Sequence, residues 1–206
     1  MIIFLSKKPM EVSQILEKSM DLNKDINKKE LRKQILQKRN LLTQKEWEEK
    51  SHIIFNRVAA HPFFLDADEI YCYLDYKKEA GTRKIIEKAW QLGKKVAVPK
   101  IIGDEMQFFY IGDFQCLEDG YCHILEPKTD SPANGKNVLV IMPGAVFDPN
   151  RNRIGYGKGF YDRFLEKNPA FHTLALAFML QFVENIPADS YDKKPETIIT
   201  EDKIYV

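Results

Sequence analysis

Apolar side chains recur along this chain at two periods, and the switch between them separates a helical first third from an alternating remainder. Before that, Val12, Ile15, Leu16 and Met20 could line one side of a short helix, but Lys and Asn punctuate the residues just after Met20. Residues 1–26 therefore read as an appended extension, with Met20 as an alternative start, ahead of a domain over 27–206. A cleaner helix opens at Asn27, whose side chain can cap while Glu30 reaches back, and Leu31, Ile35 and Leu42 supply its apolar stripe. Thr43 and Glu46 form a second capping box, after which Trp47, Ile54, Phe55 and Val58 recur at helical spacing until Pro62 stops the run.

Beyond Pro62 the pattern changes. Glu69 to Asp75 is rich in β-formers, Thr82 to Leu92 is helical with Gly93 as its expected C-cap, and Lys95 to Ile101 is again strand-like. Met106 to Ile111 adds a strand. Val138 to Met142 and Thr173 to Phe178 are short continuous apolar runs, as expected of strands covered on both faces, and Phe160 to Lys167 is a short helix between them. This alternation predicts a single three-layer α/β/α domain around a central, largely parallel sheet. The length of 206 residues favours one sizeable domain, and 44% hydrophobic content is enough for a packed core.

Charge narrows the partners. With 31 Lys plus Arg against 30 Asp plus Glu the net charge is +1, so no molecule-wide field gathers nucleic acid or an anionic membrane. Any basic site must be local, and the stretch from Lys24 to Lys50 has such an excess, with Lys28 and Arg32 on one helical face. By charge alone that face reads as solvated, and an RNA-binding role would need a basic-aromatic repeat that is absent. No apolar run is long enough to span a bilayer, and Met1 to Leu5 is too short for a secretory core, so a cytoplasmic, monomeric protein without membrane or nucleic-acid partners is expected. Cys72, Cys116 and Cys122 lack metal or disulfide spacing and read as buried reduced thiols, and the histidines form no zinc motif.

The richest chemistry comes after the Val138 to Met142 run. Pro143-Gly144 leads to Arg153-Ile154-Gly155-Tyr156-Gly157-Lys158-Gly159-Phe160-Tyr161-Asp162, just where ligands bind in open α/β sheets. Glycines at 155, 157 and 159 can take positive φ and turn successive amides into an anion-binding concavity beside a helix N-terminus. Arg153 and Lys158 add full charges that suit a polyphosphate. The pattern is neither Walker A nor the dinucleotide fingerprint, because Phe160 stands where a third spaced glycine belongs. Asp162 in the first turn would repel phosphates unless a cation intervenes. Mg²⁺ fits that place, with Asp192 or Glu196 as a candidate second carboxylate.

Four blocks, in order, resemble the 5-formyltetrahydrofolate cyclo-ligases: Lys28-Lys29-Glu30-Leu31-Arg32; Tyr73-Leu74 with Glu79-Ala80-Gly81-Thr82; Met142-Pro143-Gly144 through Asp162; and Leu176-Ala177-Phe178 with Gln181, Pro187 and Asp192. The resemblance implies a ligase that closes 5-formyltetrahydrofolate to 5,10-methenyltetrahydrofolate with ATP as co-substrate and Mg²⁺ as cofactor. It implies ATP contacts from Lys28, Lys29, Glu30, Leu31 and Arg32 and from the loop Arg153, Ile154, Gly155, Tyr156, Gly157, Lys158, Gly159, Phe160, Tyr161 and Asp162. Folate contacts fall to Leu74, Glu79, Tyr156, Gly157, Lys158, Gly159 and Phe160, metal ligation to Asp162 and Asp192, and catalysis to Arg153, Lys158 and Tyr161. Phe160, Tyr191 and Glu196 depart from the usual Tyr, His or Asn, and Asp. Since the resemblance starts at Lys28, deletion of residues 1–19 is expected to leave turnover intact, and a large loss of turnover in that truncation contradicts the reading.

Overall fold

Local signals set the first elements of this computed structural model, which describes residues 28–120, 123–189 and 191–206. The appended segment, the Asn27 cap and Cys122 lie outside those residues. Helix α1 runs through 28–40. Helix α2, Gln44–Ala59, opens with the reciprocal cap: Thr43 N donates to Glu46 Oε2 at 2.8 Å, and Glu46 N donates to Thr43 Oγ1 at 3.2 Å. Pro62 ends one helix and starts the next, occupying the first turn of α3, Pro62–Asp66, where its missing N–H costs nothing.

The sheet has seven strands: β1 Glu69–Cys72, β2 Lys95–Ile102, β3 Glu105–Ile111, β6 Val138–Met142, β9 His172–Leu176, β10 Thr197–Ile199 and β11 Ile204–Tyr205. Two short hairpins, β4 Leu117–Asp119 with β5 Leu125–Pro127 and β7 Val146–Phe147 with β8 Arg153–Ile154, stand apart from it. The spatial order is β11-β10-β9-β6-β1-β2-β3. Pairings from β10 across to β2 are all parallel, whereas β3 and β11 close the two edges antiparallel. Pro99 is tolerated in β2 because β1 pairs only with Lys95 to Ala97, leaving the proline on the stretch that meets β3 alone.

Alternation along β1 divides the core. Ile70 and Cys72 face α2, α3 and α4 (Arg83–Gln91), packing with Ile54, Val58, Phe64, Ile85, Ile86 and Ala89. Tyr71 faces the other way, with Val138, Val140, Met142 and Ala175, against Phe164 and Leu165 of α5, Phe160–Lys167. Helices thus cover both sheet faces, and the strands read as continuous apolar runs for that reason. A third, small core joins Ile35 of α1 to Ala145, Val146, Ile154 and Ile186, so the first helix packs on the β7–β8 hairpin.

Boundaries differ from the sequence pattern where side chains bond to local backbone. The first strand stops at Cys72, because Asp75 turns back to accept from Thr82 N at 2.8 Å and Thr82 Oγ1 at 2.9 Å. Gly93, at φ +73, follows Leu92 at the end of α4 in the left-handed position that favours glycine. Cys72 is buried as expected, but Cys116 is only half-buried.

Gly144, between β6 and β7, has no room for a side chain: a Cβ there would run into the buried Phe147 ring and lie 3.0 Å from Arg153 Cγ. Gly144→Ala is therefore expected to lose about 1–3 kcal/mol of stability by overpacking, read as a lower urea midpoint.

Candidate active site at the sheet switch point

From β1 the chain crosses by α4 to β2, and from β6 it crosses by α5 to β9 in the opposite direction. Strands β1 and β6 are neighbours, so the loops after them leave the sheet on diverging paths and open a crevice at its carboxyl edge. The loop after β1 carries Leu74 and Glu79. After β6 comes the hairpin and glycine loop. Asp148 holds that hairpin's turn, accepting from Asn150 N and Asn152 N, each at 2.9 Å, and from Ile186 N at 3.0 Å. Buried Gln181 braces its entry by donating to Gly144 O at 2.8 Å and Ala145 O at 3.1 Å.

Arg153 lies beneath the glycine loop. Its buried guanidinium donates to Pro143 O at 3.3 Å, pairs with Asp162 at 3.0 Å and stands 5.9 Å from the Tyr161 ring centre. Only Gly157, at φ +92, and Gly159, at φ +63, take the left-handed conformation expected of all three loop glycines. Gly155 is required for a different reason, since a Cβ there would come within 2.9 Å of Arg153 Nη1. Among the described residues, none of the amides from Gly155 to Gly159 donates to a protein acceptor, so the loop offers a run of open donors at the start of α5. Lys158 is exposed beside them.

The basic face of α1 is not solvated. Arg32 Nε donates to Gly155 O at 2.8 Å, and its Nη1 lies 3.4 Å from where a Cβ on Gly157 would sit. Burial lowers the Arg32 pKa from its ordinary value. Lys28 Nζ reaches Asp189 at 2.6 Å and Asp192 at 2.8 Å. Burial works against its ammonium, but the bonds and charges of the two aspartates outweigh that and raise its pKa. Lys29 and Glu30 point to solvent, and Leu31 packs in the small third core.

Asp162 and Asp192 come from different elements to one corner, where Lys193 N donates to Asp162 Oδ1 at 3.1 Å. Two hard oxygen donors beside open amides suit Mg²⁺, which takes one or two carboxylates and completes its shell with phosphate and water. Among the described residues no group of three His, Cys, Asp or Glu side chains forms a preassembled cage. Glu196 does not reach this corner. Its carboxylate accepts from Thr173 N at 2.8 Å and meets His172 at 3.2 Å, at the amino end of β9.

Across the crevice, buried Glu79 takes the Tyr156 hydroxyl on Oε1 and Tyr76 N on Oε2, the latter at 2.9 Å. Burial pushes its carboxyl up, opposed by the charge of Arg39 and by these two donors. The Tyr161 hydroxyl is buried without a partner among the described residues, and burial raises its pKa well above the ordinary tyrosine value. Leu74 lines a cavity of about 640 Å³ with Trp47, Phe55, Phe114, Leu117 and Leu125. Of the residues expected at the folate, Leu74 alone lines it: Glu79, Tyr156, Gly157, Lys158 and Gly159 lie outside its lining, and the Phe160 ring lies under Arg163, 5.5 Å away, at a separate hollow of about 320 Å³. Sequence reasoning missed Arg39, which is only 3% exposed and donates to the Tyr156 hydroxyl at 3.0 Å. Its signal was present, since position 39 lies two helical turns beyond Arg32 on the same face.

An open parallel sheet with a cationic, amide-lined loop at its switch point is the architecture of an anion-binding α/β enzyme. Residues 24–201 match the model of the 5-formyltetrahydrofolate cyclo-ligase family, and the chain belongs to that family, a family of ligases. It is 27% identical over 190 residues to the 5-formyltetrahydrofolate cyclo-ligase of Mus musculus, covering 85% of this chain and 94% of the mouse protein. Identity to the Escherichia coli K12 enzyme of the same name is 28% over 180 residues, 83% of this chain and 98% of that protein. The solution structure of Aquifex aeolicus 5,10-methenyltetrahydrofolate synthetase superposes with a TM-score of 0.76 at 29% identity, covering 86% of this chain and 91% of that one. Among the described residues no helix is long and apolar enough to cross a membrane.

Glu79 sets a pH signature. Its folded pKa lies above the ordinary 4.5, so the folded state binds the proton more tightly, and the associated stability is complete below 4.5 and lost as pH rises through the elevated value. Against Glu79→Gln, the wild type is expected to lose relative stability across that window by about 1.4 kcal/mol per unit of elevation, measured by urea unfolding at a series of pH values. A difference independent of pH would refute the elevation.

Proposed function

We propose that this chain uses ATP and Mg²⁺ to cyclise 5-formyltetrahydrofolate to 5,10-methenyltetrahydrofolate, releasing ADP and phosphate by way of a phosphorylated formyl oxygen. The observation that carries this reading is the run of open amides from Gly155 to Gly159, set over Arg153 and beside Arg32 and Lys158. A triphosphate laid there meets backbone donors, three cations and the start of α5. Asp162 and Asp192 would hold Mg²⁺, which when bound neutralises phosphate charge and fixes the geometry of the terminal phosphates. Lys28 and Arg153, which pair with Asp192 and Asp162, would share in binding phosphate oxygens.

The folate side falls to the loop after β1. The cavity at Leu74 offers aromatic and apolar walls of the kind that take a flat heterocycle, and Glu79, on the same loop but outside the cavity lining, would supply a carboxylate to the polar edge of a pterin that reaches toward Tyr156. A formamide oxygen is a poor leaving group, which is why phosphorylation is needed. The formyl oxygen attacks the γ-phosphorus, and the bond to ADP breaks with its electron pair on ADP. N10 then attacks the formyl carbon and loses its proton, and the carbon–oxygen bond breaks with its pair on phosphate. Arg153 and Lys158 stabilise charge on the transferring group, while Tyr161 aligns beside it with a hydroxyl that no protein acceptor among the described residues holds. No protein nucleophile is required.

Purified protein mixed with 5-formyltetrahydrofolate, ATP and Mg²⁺ is expected to form methenyl product, followed by its absorbance. Absence of product from the wild type overturns the reading. Asp162→Asn, which also loses the Arg153 ion pair and is therefore assayed well below its own lowered melting midpoint, is expected to lose about a hundredfold or more in kcat. Unchanged turnover in that variant removes the metal assignment.

A further inference from the structure

The proposed reaction gives Arg39 no task, yet Arg39 is the most deeply buried cation of α1. Burying an arginine is costly unless its hydrogen bonds and charge are used, and Arg39 Nε has no partner among the described residues. What Arg39 does touch is specific. Its Nη1 donates to the Tyr156 hydroxyl at 3.0 Å, and that hydroxyl in turn donates to Glu79 Oε1. Arg39 and Glu79 form no direct ion pair; the tyrosine stands between them as a relay. Three elements meet at this chain of bonds: α1, the glycine loop and the loop after β1.

We propose that Arg39 is a positioning residue, which through the Tyr156 hydroxyl holds the Glu79 carboxylate charged and fixed between the glycine loop and the loop after β1. This rests on the assignment of Glu79 to the folate. The other groups facing Glu79 cannot replace Arg39. Asp75 and Tyr73, on its own loop, and Tyr161 of α5 are acidic or neutral, and the Trp47 indole donates to the Glu79 carbonyl, at 2.6 Å, instead of its carboxylate. Among the described residues Arg39 is the positive charge that acts on a carboxyl burial pushes toward neutrality. The Tyr156 ring is half exposed while its hydroxyl points inward, so the same bond also ties the rim of the glycine loop to Glu79.

The test compares Arg39→Met, Arg39→Lys and Glu79→Gln in the methenyl-forming assay. Arg39→Met is expected to raise KM for 5-formyltetrahydrofolate about tenfold or more at neutral pH, with KM for ATP changed by less than about twofold. The defect is expected to shrink at alkaline pH, where the carboxyl ionises without its counter-charge, and Arg39→Lys is expected to recover part of it. In the Glu79→Gln background the Arg39→Met change is expected to have little further effect, because its target is gone. Equal losses for both substrates, or a defect that ignores pH and adds fully to Glu79→Gln, overturn the proposal. A ¹³C NMR titration of the Glu79 carboxyl in the resting protein separates this from the catalytic reading. Arg39→Met is expected to move that titration upward by about one unit. An unmoved titration refutes the role of Arg39 even if the wild type turns over, and a moved one supports it even if no methenyl product forms. Should Arg39→Met fail to fold, Arg39→Gln, which removes the charge but keeps a side-chain donor for the Tyr156 hydroxyl, carries the same titration test.

Discussion

A guanidinium buried beneath a loop that cannot cover it with side chains governs this end of the molecule. Arg153 lies on β8, inside the hairpin that follows β6, and binds Pro143 O on one side and Asp162 of α5 on the other. That pair of contacts sets where the strand exit, the glycine loop and the helix start lie relative to each other. The close approach is possible only because Gly144 and Gly155 lack side chains, each of which would meet Arg153 at 3.0 Å or less. Leaving the arginine buried without Asp162 would strand a charge at a cost of about 3–5 kcal/mol, so the ion pair also constrains the helix. The glycine spacing is thus partly a packing demand of Arg153 and only partly a matter of left-handed backbone.

The corner is balanced locally in charge. Lys28, Arg32, Arg39 and Arg153 face Asp162, Asp189, Asp192 and Glu79, with Lys28 and Arg32 set one turn apart on α1. Each of these four cations already has a protein acceptor, so a polyphosphate bound there as proposed would exchange partners with them instead of meeting bare charge. This keeps the site stable before binding and lets the added negative charge be shared among groups whose positions are already fixed. The net charge of +1 carries no trace of such a site, because the clustering is spatial and the opposite signs cancel.

Much of the fold was legible because both faces of the sheet are covered. Val138 to Met142 and Phe160 to Lys167 were read with their observed limits, since an unbroken apolar run and a helix after glycines leave little ambiguity. The short strands β4, β5, β7, β8, β10 and β11 were not foreseen, being two or three residues long and held by partners that no local pattern announces. Within the site, the glycine loop and its two cations were visible in one contiguous stretch. Of the two candidate second carboxylates, Glu196 lies away from Asp162 because it directly precedes β10 and bonds to the amino end of β9, whereas Asp192 lies four residues earlier in the preceding loop. Arg39 was passed over for the reverse reason: its helical phase with Lys28 and Arg32 was readable, but its burial depends on a tyrosine and a glutamate far along the chain.

The topology explains why these distant groups meet. At a switch point the connections of neighbouring strands leave on opposite faces, so the first residues of the two loops are adjacent while their later parts diverge. Glu79 belongs to the loop that turns toward α4, and Tyr156 to the one that turns toward α5. Their contact therefore spans the mouth of the crevice, and anything that seats deeply in it must lie against that contact or part it. Helix α1, which precedes the sheet in sequence, closes the same mouth from outside by packing Ile35 on the hairpin and sending Arg39 inward. A crevice formed by backbone divergence alone would be open to water on that side. With α1 in place the polar groups across its mouth are held in a drier, lower-dielectric setting, where a single charge such as Arg39 acts more strongly on its neighbours than it could at the surface.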